Sequence, residues 1–171
     1  MITYSSDTND LTFKDLRDTA KLAEKYFGTE KDPSQMPTNE KESKWIFNNL
    51  SECVNTIKYN GELIGFSFIL PCNKELMDDF LSKKINEAQL YKEIKKKITY
   101  KNFTTIYLCS AFVKPEYRRK GLASKAIKKS IKKLIKNKKL PPLFFESYSE
   151  EGRKTVEVMA KKLKIQIKER V

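Results

Sequence analysis

There is no histidine anywhere in the 171 residues of this chain. That excludes Ser-His-Asp and Cys-His catalysis and the usual histidine-containing metal sites, so no bound metal is expected. General acid–base work falls to Glu, Asp, Tyr, Cys, Ser, Lys or water. Cysteine is scarce as well. Cys53, Cys72 and Cys109 are odd in number and widely spaced, and make neither a zinc pattern nor a disulfide framework. They read as buried, reduced thiols of a cytoplasmic protein. No apolar run approaches the roughly 20 residues that cross a bilayer, so no membrane partner is expected. The start, Met1-Ile2-Thr3-Tyr4-Ser5, lacks the basic segment and apolar run of a secretory signal. Glycine is limited to five positions, and the glycine patterns of dinucleotide folds, P-loops and α/β-hydrolases do not occur.

What is present suffices for a packed core. Hydrophobic residues make up 39% of the chain, with ten Phe and eight Tyr. A chain of this length buries roughly 68–70% of its unfolded surface as one domain, here taken as residues 1–171. The net charge of +13 is unevenly spread. Residues 1–100 carry 15 basic and 16 acidic side chains, whereas residues 101–171 carry 20 basic and 6 acidic. The whole cationic excess lies in the C-terminal part, which suggests a polyanionic ligand there, alongside a general lysine bias.

Periodicity predicts an alternation of strands and helices. Ile2–Ser5 reads as a short strand. Thr12-Phe13-Lys14-Asp15 has capping-box spacing before a helix that Gly28 ends. A second helix is expected over about 39–50, with Trp45, Ile46 and Leu50 inward. Two β-rich runs, Cys53–Tyr59 and Leu63–Leu70, are joined by Asn60-Gly61, a strong hairpin signal, and Pro71 is expected to close the second. Residues 73–98 read as a helical insertion of two helices, the second capped by Asn86. Its acids Glu75, Asp78, Asp79, Glu87 and Glu93 read by default as a solvated face, although they could attract an amine. A strand at about 103–113, a helix over 121–137, a strand Leu143–Tyr148, a helix from Ser149 and a strand Ile165–Lys168 follow. The order argues for a mixed α/β sheet.

The most informative stretch is Val113-Lys114-Pro115-Glu116-Tyr117-Arg118-Arg119-Lys120-Gly121-Leu122-Ala123. A strand, a tight basic turn and a helix N-terminus make an anion cradle, because first-turn amides have no intrahelical acceptor and carry the positive end of the helix dipole. Gly121 lets a phosphate approach the backbone, with Arg118, Arg119 and Lys120 beside it.

Arg118-Arg119-Lys120-Gly121-Leu122-Ala123 fits Q/R-x-x-G-x-G/A, and the stretch Leu108–Ile131 resembles the acetyl-CoA-binding motif of the GNAT N-acetyltransferase family. The resemblance implies an α/β (α+β) single domain with a mixed, mostly antiparallel, splayed sheet flanked by helices. The insertion at 73–98 then falls between the third and fourth strands, as a wall of the acceptor site or a dimer surface. Acetyl-CoA, as cosubstrate, would lie in the V between the motif strand and the next. By position, the backbone of Phe112 and Val113 would pair with the pantetheine arm, and the amides of Arg118, Arg119, Lys120, Gly121, Leu122, Ala123 and Ser124 would bind the pyrophosphate. Lys125, Lys128 or Lys129 could reach the 3′-phosphate. The family's last-helix tyrosine is replaced by Ala160, and the motif strand lacks a carboxylate. Tyr148 and Ser149 as proton donors, and Glu146, or Glu150 or Glu151 at the helix start, as proton acceptor through water, are the substitutes near the penultimate strand. The implied activity is acetyl transfer to a primary amine, on a small molecule or a peptide, by direct attack in a ternary complex. A homodimer is a candidate assembly. The alternatives are a non-catalytic acyl-CoA-binding module and, less favoured, a nucleic-acid-binding protein using the lysine face of residues 120–139.

Overall fold

A capping box opens the first long helix where the sequence expects one. In the computed structural model, which describes residues 1–98 and 102–171, the Thr12 side chain accepts from the Asp15 N–H, and Asp15 accepts in return from the Thr12 N–H. Gly28 ends the helix in the left-handed region at φ 62°. The elements in chain order are β1 (Ile2–Tyr4), α1 (Ser5–Thr8), α2 (Phe13–Phe27), α3 (Glu40–Asn49), β2 (Val54–Tyr59), β3 (Glu62–Cys72), α4 (Lys74–Leu81), α5 (Glu87–Lys97), β4 (Thr105–Val113), α6 (Leu122–Ile135), β5 (Leu143–Glu146), α7 (Glu150–Leu163) and β6 (Ile167–Arg170). The strands form one sheet in sequence order. The pairs from β1 to β4 are antiparallel, and β4–β5 and β5–β6 are parallel. The expected mixed, mostly antiparallel sheet is therefore what the chain builds.

Three boundaries differ from expectation, each for a local reason. Pro71 does not close its strand, which continues to Cys72. The Ile106 N–H points away from β3, to the Pro142 carbonyl. Pro71 and Ile106 are thus a non-hydrogen-bonded pair, and the proline nitrogen faces the side where β2 pairing has already ended at Phe68. β5 stops at Glu146 rather than Tyr148, because Ser149 is already the α7 cap, accepting from the Gly152 N–H at 3.0 Å. The last strand begins at Ile167 rather than Ile165, because α7 ends on left-handed Lys164 and the Ile165 N–H is tied back to the Ala160 carbonyl. The one-turn helix α1 was not expected.

One irregularity organises the site. Phe68 pairs with Ser110, but Ile69 pairs with Leu108, leaving Cys109 as an extra residue in β4. Such a bulge resets the alternation of side chains. Tyr107 and Cys109 before it, and Phe112 after it, therefore share one face. On that face Tyr107 packs against Phe80 and Phe144, and Phe112 stacks on Tyr26 at 4.3 Å. Val113 faces the other way, with Ala126, Leu122 and Ala123 of α6.

A partly buried ion pair joins α2 to the hairpin: Lys58 Nζ lies 3.0 Å from Asp15. Burial pushes the Asp15 carboxyl up, but the Thr12 N–H and the Lys58 ammonium together outweigh it and hold the group below its ordinary 3.8. A carboxyl lowered by folding stabilises the fold above its unfolded-state value and loses that contribution as pH falls through its folded value. Thermal melts from pH 6 down to pH 2 are expected to show a steeper acid loss for the wild type than for Asp15→Asn. Equal slopes would remove the assignment.

Candidate active site

Parallel pairing of β4 with β5 covers only Ile106–Leu108 and Leu143–Phe145. Beyond those residues the two strands part, and the wedge opens into a cavity of about 1040 Å³. Its walls are β4 from Leu108 to Val113, the end of β5 through Ser149, the N-terminus of α6, one side of α7, the inner face of α2 and the loop around Met36. A volume at the top of the usual range for ligand pockets leaves room for two reactants.

The open edge of β4 is the first binding element. The Lys114 N–H donates to Ile64 on β3, so alternation turns the peptide groups of Val113 and Ala111 toward the cavity. The Val113 carbonyl already accepts from Arg118 Nε at 3.0 Å. Phe112, one residue out of phase, contributes its ring, which packs beneath the Arg118 guanidinium. Ala111 was not singled out from the sequence, because the direction of a peptide group depends on which neighbour strand is present.

The second element is the start of α6. Gly121, at φ 68°, is its cap, and the first intrahelical bond runs from the Lys125 N–H to the Gly121 carbonyl at 3.0 Å. The amides of Leu122, Ala123 and Ser124 therefore have no acceptor within the helix, and no carboxylate occupies the first turn. Arg118, Arg119, Gly121, Leu122, Ala123 and Ser124 line the cavity together with Lys154 and Lys162 of α7. Lys120 is turned out, its ammonium 5.5 Å from the Tyr117 ring centre. Of the lysines considered for a 3′-phosphate, Lys129 is engaged by Asp7 at 2.6 Å, and Lys125 lies over the Tyr4 ring.

The third element lies where the strands part. Tyr148 donates to Glu146 Oε2 at 3.2 Å, and Glu146 also faces Arg170 Nε at 3.5 Å. Tyr148 is half exposed as a whole residue. Burial of its hydroxyl, reinforced by the negative charges of Glu87 and Glu146, nevertheless raises its pKa far above the ordinary value, so the phenol keeps its proton. Ser149 lines the cavity with its hydroxyl committed to the α7 cap.

Glu87 corrects the reading of the insertion as a solvated face. It is the first residue of α5 and only 6% exposed. Its carboxylate accepts from the Met36 N–H at 2.9 Å and the Tyr107 hydroxyl at 2.7 Å, with the Cys109 thiol at 3.7 Å. Burial raises its pKa, and Glu146 adds to the rise against the pull of these donors. The insertion thus brings to the motif strand the carboxylate that the strand itself lacks. A signal existed: Glu87 shares the helical face of Leu90, Tyr91 and Ile94, all buried. Cys109 is no nucleophile, since burial and the adjacent Glu87 keep its thiol firmly protonated.

The sheet is splayed between two parallel strands, and an unpaired strand edge and a helix N-terminus face one cavity. The chain belongs to the acetyltransferase (GNAT) family, whose model matches residues 16–149. No curated protein matches it in sequence. Among solved structures it is similar to a ribosomal-protein-alanine N-acetyltransferase from Brucella melitensis biovar Abortus 2308, with a TM-score of 0.52 at 15% identity over 92% of this chain and 88% of that one. It is also similar to a predicted acetyltransferase with acetyl-CoA from Clostridium acetobutylicum, with a TM-score of 0.53 at 18% identity over 97% of this chain and 90% of that one. Likeness at these identities establishes the fold.

Proposed function

We propose that the protein is an acetyl-CoA-dependent N-acetyltransferase acting on a primary amine by direct attack in a ternary complex. The observation that carries this reading is the single cavity joining the free α6 amides to the buried carboxylate of Glu87. Acetyl-CoA fits the polar groups present: three unused amides and the cations Arg118, Arg119, Lys154 and Lys162 suit a pyrophosphate, and the outward peptide groups of Ala111 and Val113 suit an amide-bearing arm. When bound, it supplies an acyl thioester for attack by a neutral amine.

The residues then divide the work. The cradle and the β4 edge hold the donor in line with the acceptor, the largest contribution available without covalent catalysis. Tyr148, kept protonated by burial and neighbouring carboxylates, supplies the proton that the departing sulfur needs. Ser149 and Glu146 support it, one by starting α7 and the other by accepting from the phenol. The three cysteines are buried and in no disulfide, which suits a cytoplasmic protein.

The replacement of the family's last-helix tyrosine by Ala160 favours one other reading, an acyl-CoA-binding module without turnover. Two measurements separate them. Acetyl-CoA at a hundred times its Kd is expected to stabilise the fold by about 2.7 kcal/mol, a rise in Tm of roughly 5–11 °C for a chain of this size. Free thiol should then appear with a panel of primary amines. No shift at millimolar acetyl-CoA would overturn both readings, and a shift without thiol release would favour the binding module.

A further inference from the structure

The cavity has two chemically different ends. Among the described residues, every basic side chain of its lining belongs to the α6 turn or α7: Arg118, Arg119, Lys154 and Lys162. The other lobe lies against α2, the Met36 loop and α5, and mixes apolar walls such as Leu16, Ala23, Phe27 and Phe68 with uncharged polar side chains such as Thr19 and Gln35. Glu87 is the one carboxylate that this lobe contributes to the described lining.

Resting on the acetyltransferase reading, we infer that the acceptor is a monocationic primary amine on an apolar body, whose ammonium is held by Glu87 and which carries no carboxylate beside the amine. The Glu87 carboxylate receives two short hydrogen bonds from the protein, one on each oxygen, and a longer one from the Cys109 thiol, whereas a carboxylate has about four acceptor positions. Acceptor capacity remains for an ammonium. Low dielectric strengthens that pairing, because both charges lie out of water. The same environment rejects an amino acid: its carboxylate would enter a lobe lined by no cation among the described residues and would face Glu87 directly. The aliphatic and aromatic walls accommodate an alkyl or arylalkyl body, and the polar side chains among them are uncharged. The ammonium first gives one proton to the Glu87 carboxylate; the neutral amine nitrogen then bonds to the acyl carbon, the carbon–sulfur pair leaves with the sulfur, which takes the Tyr148 proton, and the second surplus N–H proton returns to the Tyr148 oxygen.

The test uses the full chain with saturating acetyl-CoA, following thiol release with 2-phenylethylamine, phenylalanine and phenylalaninamide. The amine is expected to exceed phenylalanine in kcat/KM by about 100-fold or more, with the amide within about 10-fold of the amine, because only the acid buries an unpaired charge. Phenylalanine within about 10-fold of its amide would overturn the inference, as would bound acetyl-CoA with none of the three amines acetylated. Glu87→Gln should lower kcat/KM for 2-phenylethylamine by about 100-fold, leave the Kd for acetyl-CoA unchanged and lose the acid limb of the pH profile. Competition by 2-phenylethylguanidinium, a cation that is not acetylated, should vanish in the same variant; equal inhibition of both proteins would remove Glu87 as the cation's anchor. If Glu87→Gln does not fold, the comparison of phenylalanine with its amide decides on the wild type alone. If acetyl-CoA fails to bind, the acetyltransferase reading falls, and the thermal shift given by 2-phenylethylguanidinium decides the inference separately.

Discussion

Gly65→Ala is expected to destabilise the protein by about 3 kcal/mol or more, since a small-to-large change against rigid backbone cannot be absorbed by rotamer shifts. Gly65 pairs with Val113 at the point where β3 supports the open edge of β4. A Cβ there would collide with the Phe112 carbonyl oxygen and lie 3.1 Å from Val113 Cα and 3.2 Å from Val113 Cγ2. The first two are backbone atoms, so the strand itself must move. A glycine within a strand often marks such close approach of a second backbone. The affected residues, Phe112 and Val113, also line the cavity, so on the proposed reading acetyl-CoA affinity should fall in any fraction that folds. The measurement is the Tm with and without acetyl-CoA. A Tm within 2 °C of the wild type would show that the strands have room that the geometry denies.

Asn55→Ala is the second large effect expected, at about 2–4 kcal/mol, because truncation orphans several buried partners at once. Asn55 is 1% exposed on β2. Its amide oxygen accepts from the Ser6 N–H at 3.1 Å and the Ser5 hydroxyl at 3.4 Å, and its amide nitrogen donates to the Ala126 carbonyl at 3.1 Å. One side chain therefore ties α1, β2 and α6 together. Ser5 in turn accepts from the Thr56 N–H at 2.9 Å, so the loss spreads to a strand amide. Chemical denaturation should show a lower midpoint with an unchanged m-value, the sign of lost stability without a change in exposed surface. A midpoint equal to the wild type would mean that water replaces the missing amide without cost.

Local signals explain why much of the fold was legible in the sequence. The capping box at Thr12–Asp15, the Asn60-Gly61 turn and the Asn86 cap each act within four residues, and the structure keeps all three. The apolar stripe of α6 is buried through Ala126, Ile127, Ile131 and Leu134, as its spacing expects. The turn before α6 was legible for the same reason, since a helix N-terminus after a strand is a contiguous feature. Pro71 was misread because proline's cost depends on whether a partner needs its N–H, and β2 ends before reaching it.

The acceptor side was not legible, and the reason is distance along the chain. Glu87, Tyr107, Cys109 and Met36 meet through hydrogen bonds spanning 20, 22, 51 and 73 residues. Helical phase placed Glu87 on the buried face of α5, but nothing local says what that face meets. The bulge at Cys109, visible only in strand register, turns Tyr107 and Cys109 to the face that Phe112 shares after it. The sequence by itself determined the elements, the basic turn before α6 and the family resemblance, because these rest on short-range caps, periodicity and charge. Only the tertiary structure decided that a carboxylate from an inserted helix completes the cleft, because a buried charge is defined by what surrounds it and its neighbours here come from three separate segments.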